Sequence, residues 1–540
     1  MYFPRVKKEI LTQNEFAVTG ALTLSVENDF AKKAQTALSL FIPYTKVELC
    51  NNAVITAKNT LKESEHYHIV SKASKIEIEY FDYLGLRNAL STISQMARFE
   101  NGVLHFPETE IMDFPEASWR GVMLDPAREP MEFEVLKQDL ILAAKCKMNI
   151  FHFHLSEAKG VAVELDCLPG CAHHRRAYTK AEVKELCELC DAIGLEIVPE
   201  FDMPGHSTRI TSVLPELKCE CNLEKRSDWV VCAGNEKTYE VYEKIIAELC
   251  KMFPNGNYFH MGGDELYMLD EAGITLNYIC HWDDCKKCRA VMEKQGIDMQ
   301  GLYYHFTNRI NAIVKKYGRR MIMWSDQIDC NRPLGIDKDV IMQFWRVAGK
   351  LRGPHENCSM QKQLEYGYTM INSSYPETYF DFEKYMSVES LSTWHWQQRP
   401  ECKPENRHQI IGSEVCAWEY GNEKEYMHYA YTLPSAVALM GDKLWNGELG
   451  SYTTAEEIAA TKTLLGACVP KDFNVFAAIG SIFPPRDIKT FKHSYPEKVT
   501  ISVEKIKEII SLLESKNFKA GDKERAKQYI NCAEYTLNYK

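Results

Sequence analysis

The sequence has little that would take it to a nucleic acid or into a membrane. Lysine plus arginine number 64 against 75 aspartate plus glutamate, a formal charge of -11. Without a basic excess there is no electrostatic footprint for a phosphate backbone, so nucleic acid is excluded as an expected partner. No apolar run approaches the roughly 20 residues of a membrane span, which excludes that class as well. Met1 to Ile10 alternates charges with a few apolar residues and lacks the apolar core of a signal peptide. Repeats of solenoid period and low-complexity tracts are also missing. Cysteine is not scarce: there are 19, an odd number, spread along the chain. With no export signal, the expectation is mostly reduced thiols in a cytoplasm. What remains is an ordinary globular composition, 45% hydrophobic and 26% charged, in a chain of 540 residues that has room for two or three domains.

Residues 1–115 read as a small α+β domain. Val54–Ala57 and Ser74–Phe81 have the pattern of strands, and Asp82–Arg98 carries apolar residues at helical spacing. Pro107–Pro115 reads as the linker out of this unit. From Trp119 the pattern changes to strand-like apolar runs alternating with amphipathic, helix-length segments. The runs are Arg120–Asp125, Met148–Leu155, Leu195–Met203, Tyr258–Glu265, Arg320–Asp326, Val340–Trp345, Tyr368–Ser374 and Gly412–Tyr420. Eight β-α units in succession fit a closed (β/α)8 TIM barrel over residues 116–470 better than an open sheet. Residues 471–540 read as a short helical C-terminal segment, with helical periodicity over Ile501–Leu513 and Lys523–Leu537.

Barrels of this kind carry their chemistry on the C-terminal ends of the strands. Here those ends hold Asp125, Arg128, His152, His154, Glu157, Glu200, Asp202, His206, Asp264, Glu265, Trp324, Asp326, Trp345, Tyr375, Tyr379, Trp418 and Glu419. The centre is Tyr258-Phe-His-Met-Gly-Gly-Asp-Glu265, a buried strand that leaves through two glycines into adjacent carboxylates. Two neighbouring buried acids repel, and that raises at least one pKa, which is how a carboxylic acid stays protonated at neutral pH and donates a proton. Trp324, Trp345, Trp394 and Trp418 at strand ends or in late loops suggest an aromatic pocket of the kind that stacks on sugar rings, although any one of them is equally a packing residue. Arg128 either forks hydrogen bonds to vicinal hydroxyls or pairs with Asp125 or Glu129. Asp202 and His206 flank a tight turn where a carboxylate orients an imidazole near the acid pair. His152 and His154 share one strand face, as pocket residues or as satisfied structural histidines. Most glycosidases set two carboxylates apart across the sugar ring, and adjacent Asp264 and Glu265 do not suit that arrangement. With Glu265 as the acid, the nucleophile comes from elsewhere; the substrate's own 2-acetamido oxygen is one candidate, with Asp264 on the amide nitrogen and a tyrosine hydroxyl on the carbonyl.

These residues resemble the β-N-acetylhexosaminidases of glycoside hydrolase family 20. The matching segments are Arg120-Gly-Val-Met-Leu-Asp-Pro-Ala-Arg128, Met148-Asn-Ile-Phe-His-Phe-His-Leu155, Ile197-Val-Pro-Glu-Phe-Asp-Met-Pro-Gly-His206, His260-Met-Gly-Gly-Asp-Glu265, Met321-Ile-Met-Trp-Ser-Asp326 and Gly412-Ser-Glu-Val-Cys-Ala-Trp418, in family order. The resemblance implies a retaining exo-enzyme that releases terminal β-linked GlcNAc or GalNAc from glycans, with Glu265 as general acid/base and Asp264 orienting the acetamido group. It implies Tyr379, in Tyr379-Phe-Asp381, on the acetamido carbonyl, and Arg128 on sugar hydroxyls. Asp202 and His206 would support the acid, Glu157 would place Arg128, and Trp324 and Trp418 would wall the subsite. Trp345, Asp381, Trp394 and Glu419 complete the expected substrate-binding set. The implied partner is a carbohydrate, and the chemistry is expected to need no metal or organic cofactor. The chain departs from the family's usual pattern at Glu129 (usually His), at Glu157 (usually Asp) and after Trp418, where Glu419-Tyr420 stands for the usual Trp-x-Glu. These positions touch hydroxyl recognition, not the acid pair.

Two other classes compete with this reading: a catalytically silent carbohydrate-binding relative, and a metal-dependent hydrolase using His152, His154 and Asp202 as ligands. Cys219-x-Cys221, Cys280-x4-Cys285-x2-Cys288 and Cys167-x3-Cys171 with His173 and His174 have spacings that bind structural zinc in some proteins. None is a clean four-ligand signature, and no metal is assigned from them.

Overall fold

The computed structural model describes residues 2–448 apart from 44, 222–227, 270–274, 280–281, 346–357, 376, 382–383, 386–387, 398–401 and 419–422. The helices expected at Ile501–Leu513 and Lys523–Leu537 and the end of the proposed barrel region (449–470) lie outside the described residues.

All eight expected barrel strands form. They are Trp119–Leu124, Ile150–His154, Glu196–Glu200, Tyr258–His260, Arg320–Trp324, Ile341–Phe344, Thr369–Asn372 and Ile410–Ala417. Each pairs in parallel with its sequence neighbours, and the eighth pairs with both the seventh and the first, closing the barrel. The strands are apolar nearly throughout because both faces are buried, one against helices and one against the barrel axis. Phe153 packs outward on Tyr178 and Phe253. Inward residues two apart stack in layers. The lowest layer is apolar: Trp119, Ile150, Val198, Ile322, Ile341 and Ile371 form one buried cluster. One step up, the second, third, fourth, sixth and eighth strands bring His152, Glu200, His260, Gln343 and Glu414, all buried. Gly121 belongs to that step, where a Cβ would stand 2.7 Å from the Glu414 Cβ, so the strand needs glycine to leave room for the carboxylate.

Ahead of the barrel lies an eight-stranded sheet with the helices Ala31–Phe41 and Tyr83–Met96 on it. Asp82 caps the second helix, its carboxylate accepting from the Gly85 amide. The buried Arg87 of that helix donates to the carbonyls of Ala144 (2.6 Å) and Met148 (2.8 Å), docking the unit onto the barrel. The expected linker at Pro107–Pro115 is corrected: Val103–Asp113 is a strand of this sheet, paired with Lys8–Thr19 and Tyr67–Lys72. Pro107 sits where the pairing with Lys8–Thr19 shifts register, a place where a missing N–H is tolerated. Among the described residues no helix is long and apolar enough to cross a membrane.

Candidate active site

The strand exits raise a chain of charges from the barrel axis to the mouth. At its base Glu200 is ringed by His152 Nε2 (3.0 Å), His154 Nδ1 (2.5 Å), His260 Nδ1 (3.1 Å) and the Trp324 indole N–H (2.7 Å). Burial opposes its charge, but the three imidazoles hold it well below the ordinary carboxylate range. His152 also meets Glu414 at 2.8 Å, and although burial works against a charged ring, Glu414 and Glu200 push it up to about 10. His152 and His154 are thus taken up by carboxylates within the barrel, and His152 groups with Glu200 and His260, not with His154 and Asp202.

Toward the mouth, Arg128 donates to Asp125 (2.7 Å) and pairs with Glu157 at 2.5 Å. Glu157 in turn meets His206 Nδ1 at 2.6 Å. Burial raises the Glu157 carboxyl, yet Arg128 and His206 prevail and hold it below its usual range. The other face of His206 looks at three acids, with Nε2 3.4 Å from Glu265 Oε2, 3.6 Å from Asp264 Oδ2 and 3.9 Å from Asp202 Oδ2. Burial would discharge the imidazole, but Glu157, Asp202 and Asp264 raise its pKa well above the ordinary value. Trp229 lies over it at 4.3 Å between ring centroids and donates to the Glu265 carbonyl at 3.4 Å.

The turn that delivers the acid pair depends on its glycines. Gly262 has φ +67°, and a Cβ there would fall 1.9 Å from Asp202 Oδ1, the oxygen that accepts from the Gly263 amide at 3.2 Å. Glu265 itself is left-handed (φ 52°), and its amide donates to Asp326 at 3.1 Å. The two acids end in different settings. Asp264 is buried and its pKa is raised to about 7, first by burial and then by Asp326, Glu265 and Glu200, with His206 opposing. Its Oδ1 is buried and accepts no hydrogen bond among the described residues. The Glu265 side chain keeps 24% of its surface open at the mouth.

Aromatic rings wall one side. Tyr379–Asp381 runs parallel to the end of the eighth strand, Tyr379 opposite Cys416. Tyr379 packs on Trp418 (6.2 Å), Tyr375 (5.2 Å) and Trp345 (6.2 Å), and Trp418 on Trp324 (6.0 Å). The Arg128 guanidinium sits 4.7 Å over Trp418, tying the wall to the charged chain.

The structure therefore brings together Arg128, Glu157, Asp202, His206, Asp264 and Glu265, and beside them Trp324, Trp345, Tyr379 and Trp418. Trp394 is not part of that aromatic cluster; it is buried in the main hydrophobic core. The Asp381 backbone is in its strand, and its side chain and Glu419 lie outside the described residues. Glu129 is engaged by Arg175 and Lys159. Trp229 and Glu414 went unmarked in the sequence. Glu414 was legible from its place in Gly412-Ser-Glu-Val, facing inward two residues above Gly412. Trp229, in an aperiodic loop, gave no signal. The cysteine set also changes. Cys219, Cys285 and Cys288 meet Cys232, which the spacing did not single out, while Cys221 is outside the group and Cys280 lies outside the described residues. Among the described residues Cys167, Cys171 and His173 form no such group.

A parallel barrel whose open end holds a buried acid, a half-open neighbouring acid and an aromatic wall defines a glycosidase-type centre. Comparison with known proteins agrees. The family model described as "Glycosyl hydrolase family 20, catalytic domain" matches residues 118–448. A "Beta-hexosaminidase" of Vibrio furnissii is 24% identical over 477 residues, covering 80% of this chain and 74% of the relative. The crystal structure of a beta-N-acetylhexosaminidase from Bacteroides fragilis superposes with a TM-score of 0.71 at 24% identity, covering 86% of this chain and 94% of the other. An exo beta-N-acetylglucosaminidase of Vibrio harveyi, solved with N-acetylglucosamine, gives 0.68 at 22% identity over 82% and 73%. The chain belongs to glycosyl hydrolase family 20. By that membership it is a glycoside hydrolase, and the matched catalytic domain spans the whole barrel.

Proposed function

We propose that Glu265 protonates the departing glycosidic oxygen while the substrate's acetamido carbonyl oxygen attacks C1 from the opposite face. That step breaks the C1–O bond and closes an oxazolinium ring. Glu265, now a carboxylate, then takes a proton from the water that opens the ring, so the β configuration is retained. Asp264 Oδ1 accepts the amide N–H and steadies the positive charge that develops on the ring nitrogen. The Tyr379 hydroxyl donates to the acetamido oxygen. Arg128, aligned by Asp125 and Glu157, grips hydroxyls of the terminal sugar, and Trp345 and Trp418 stack on its faces. Asp202 and His206 hold the acid pair in register.

The observation that carries this reading is the contrast within the pair. Asp264 is buried with an oxygen that accepts no hydrogen bond among the described residues, and Glu265 is partly open to the mouth. An N–H donor bound at Asp264 places the acetamido group beside Glu265. The substrates that fit are glycans or glycoconjugates ending in β-linked GlcNAc or GalNAc, and Glu129 and Glu157 tune which of the two is preferred. A reducing, cytoplasmic setting agrees with the free state of the described cysteines. The test is nitrophenol release from the β-GlcNAc and β-GalNAc glycosides. Wild type is expected to be active and blocked by a thiazoline mimic of the cyclised intermediate, and Glu265→Gln to lose about 10³-fold in kcat. A wild type silent on both glycosides would favour a binding protein, and a fully active Glu265→Gln would remove Glu265 from its role.

A further inference from the structure

Beside the active site, and apart from its chemistry, four cysteines converge. The thiols of Cys219, Cys232, Cys285 and Cys288 all lie within 4.8 Å of one another, and all four residues are buried. Cys232 Sγ is 3.6 Å from both Cys285 Sγ and Cys288 Sγ. A disulfide needs about 2.05 Å, so these are not bonded pairs. Four thiolates at about 2.3 Å from one zinc ion stand about 3.8 Å apart in a tetrahedron, close to the spacing observed.

The backbone is shaped to make this approach. Lys218 and Val231 form an antiparallel bridge, and Cys219 and Cys232 flank it diagonally, one following each bridged residue. Cys285 is the residue preceding the Lys286–Gln295 helix and Cys288 lies in its first turn, the C-x2-C geometry in which two sulfurs face one point. The pairs meet through Gly234: a Cβ there would lie 2.3 Å from the Lys287 carbonyl carbon and 2.5 Å from the Cys288 amide, so only glycine permits the contact. Trp282 seals the seam from beneath, fully buried, with its indole donating to the Val231 carbonyl at 3.0 Å.

We propose that this cluster is a structural zinc site, one Zn2+ held by Cys219, Cys232, Cys285 and Cys288. Binding releases up to four protons and leaves a net charge of two negatives on the centre. The amide end of the Lys286–Gln295 helix faces that charge, and Lys287 joins the two halves through Glu220 at 2.9 Å. With four protein ligands the ion has no open position, so its role is to fasten. It fastens the loop carrying Trp229, which covers His206 and holds the Glu265 carbonyl, to the segment that follows the acid pair.

The experiment is elemental analysis of the full-length protein purified without chelator. One zinc per chain is expected, released in step with thiol modification when a mercurial is titrated into folded wild type before a zinc-sensitive dye. Cys232→Ser and Cys288→Ser are expected to lose the zinc, and Cys50→Ser, at an exposed thiol, to keep it. Should the cysteine variants fail to fold, exchange of cobalt into wild type supplies the readout, with the visible bands of a tetrahedral tetrathiolate. Wild type holding less than about a tenth of an equivalent, zinc retained by both cluster variants, or a red iron centre in its place would overturn the assignment.

Discussion

Two networks of buried charge sit at opposite ends of one barrel, and they are built on opposite rules. At the base, Lys147 and Arg120 each meet an acid. Lys147 pairs with Asp113 at 2.7 Å under the Tyr67 hydroxyl (2.8 Å), and Arg120 pairs with Glu65, which also accepts from Asn149. Both links join the first sheet to the barrel. At the mouth, Arg128 and His206 face Asp125, Glu157, Asp202, Asp264 and Glu265, so acids exceed bases. A balanced pair fixes which surface docks where, and it gains nothing from a ligand. An acid-rich cluster keeps a proton and an open acceptor, both of which a substrate can use.

The sharpest way to break the comparison is at the base. Lys147→Ala strands a buried carboxylate and is expected to cost about 3–5 kcal/mol in urea unfolding, with kcat of the folded fraction unchanged. Asp264→Asn at the mouth is expected to do the reverse, lowering kcat about 10²-fold while unfolding stability holds or rises. Equal stability losses in the two variants would mean that both ends obey one rule.

A pH series sharpens the contrast further. The Asp264 carboxyl goes from an ordinary 3.8 to about 7 in the fold, so the folded chain keeps a proton that the unfolded chain has already lost. Its contribution to stability is complete below the unfolded value and disappears as pH rises through about 7. His206, also raised, acts in the same direction. Urea midpoints of the unliganded enzyme should therefore fall between about pH 5 and about pH 8, less steeply in Asp264→Asn, and parallel slopes would show that Asp264 holds no proton. The smallest effect separates two tryptophans. Trp345→Ala is expected to raise KM by about tenfold, and Trp394→Phe to change stability alone.

The eight strands were legible because a closed parallel barrel buries both faces, and continuous apolar runs ending in polar residues have few other homes. Val103–Asp113 was misread because Pro107 and the acids at Glu108 and Glu110 hid the alternation of Leu104 and Phe106, then Ile111 and Asp113, across a register shift. At the mouth, residues near strand exits announced themselves by position. Trp394, placed in the main hydrophobic cluster, read in sequence like the strand-end tryptophans, because a loop tryptophan reads alike whether it meets a ligand or the core. Cys232 was passed over since two of its three partners stand 53 and 56 positions away and approach it through a backbone contact at Gly234 that no spacing reveals.

The base network also sets a timetable. Asp113 receives the indole N–H of Trp445, 332 positions downstream, at 2.8 Å, and Lys147 lies 4.4 Å from that ring. The segment entering the first barrel strand and the start of the chain are likewise clamped late, with the Ala117 amide donating to the Leu444 carbonyl and Arg5 pairing with Asp442. At about 5–20 residues per second, a ribosome needs roughly 17–66 seconds to travel from the acid to its cover. For that interval Asp113 lacks the indole that covers it in the folded chain. A nascent chain stalled before Trp445 should lose the first sheet to a protease, whereas one released after it should resist.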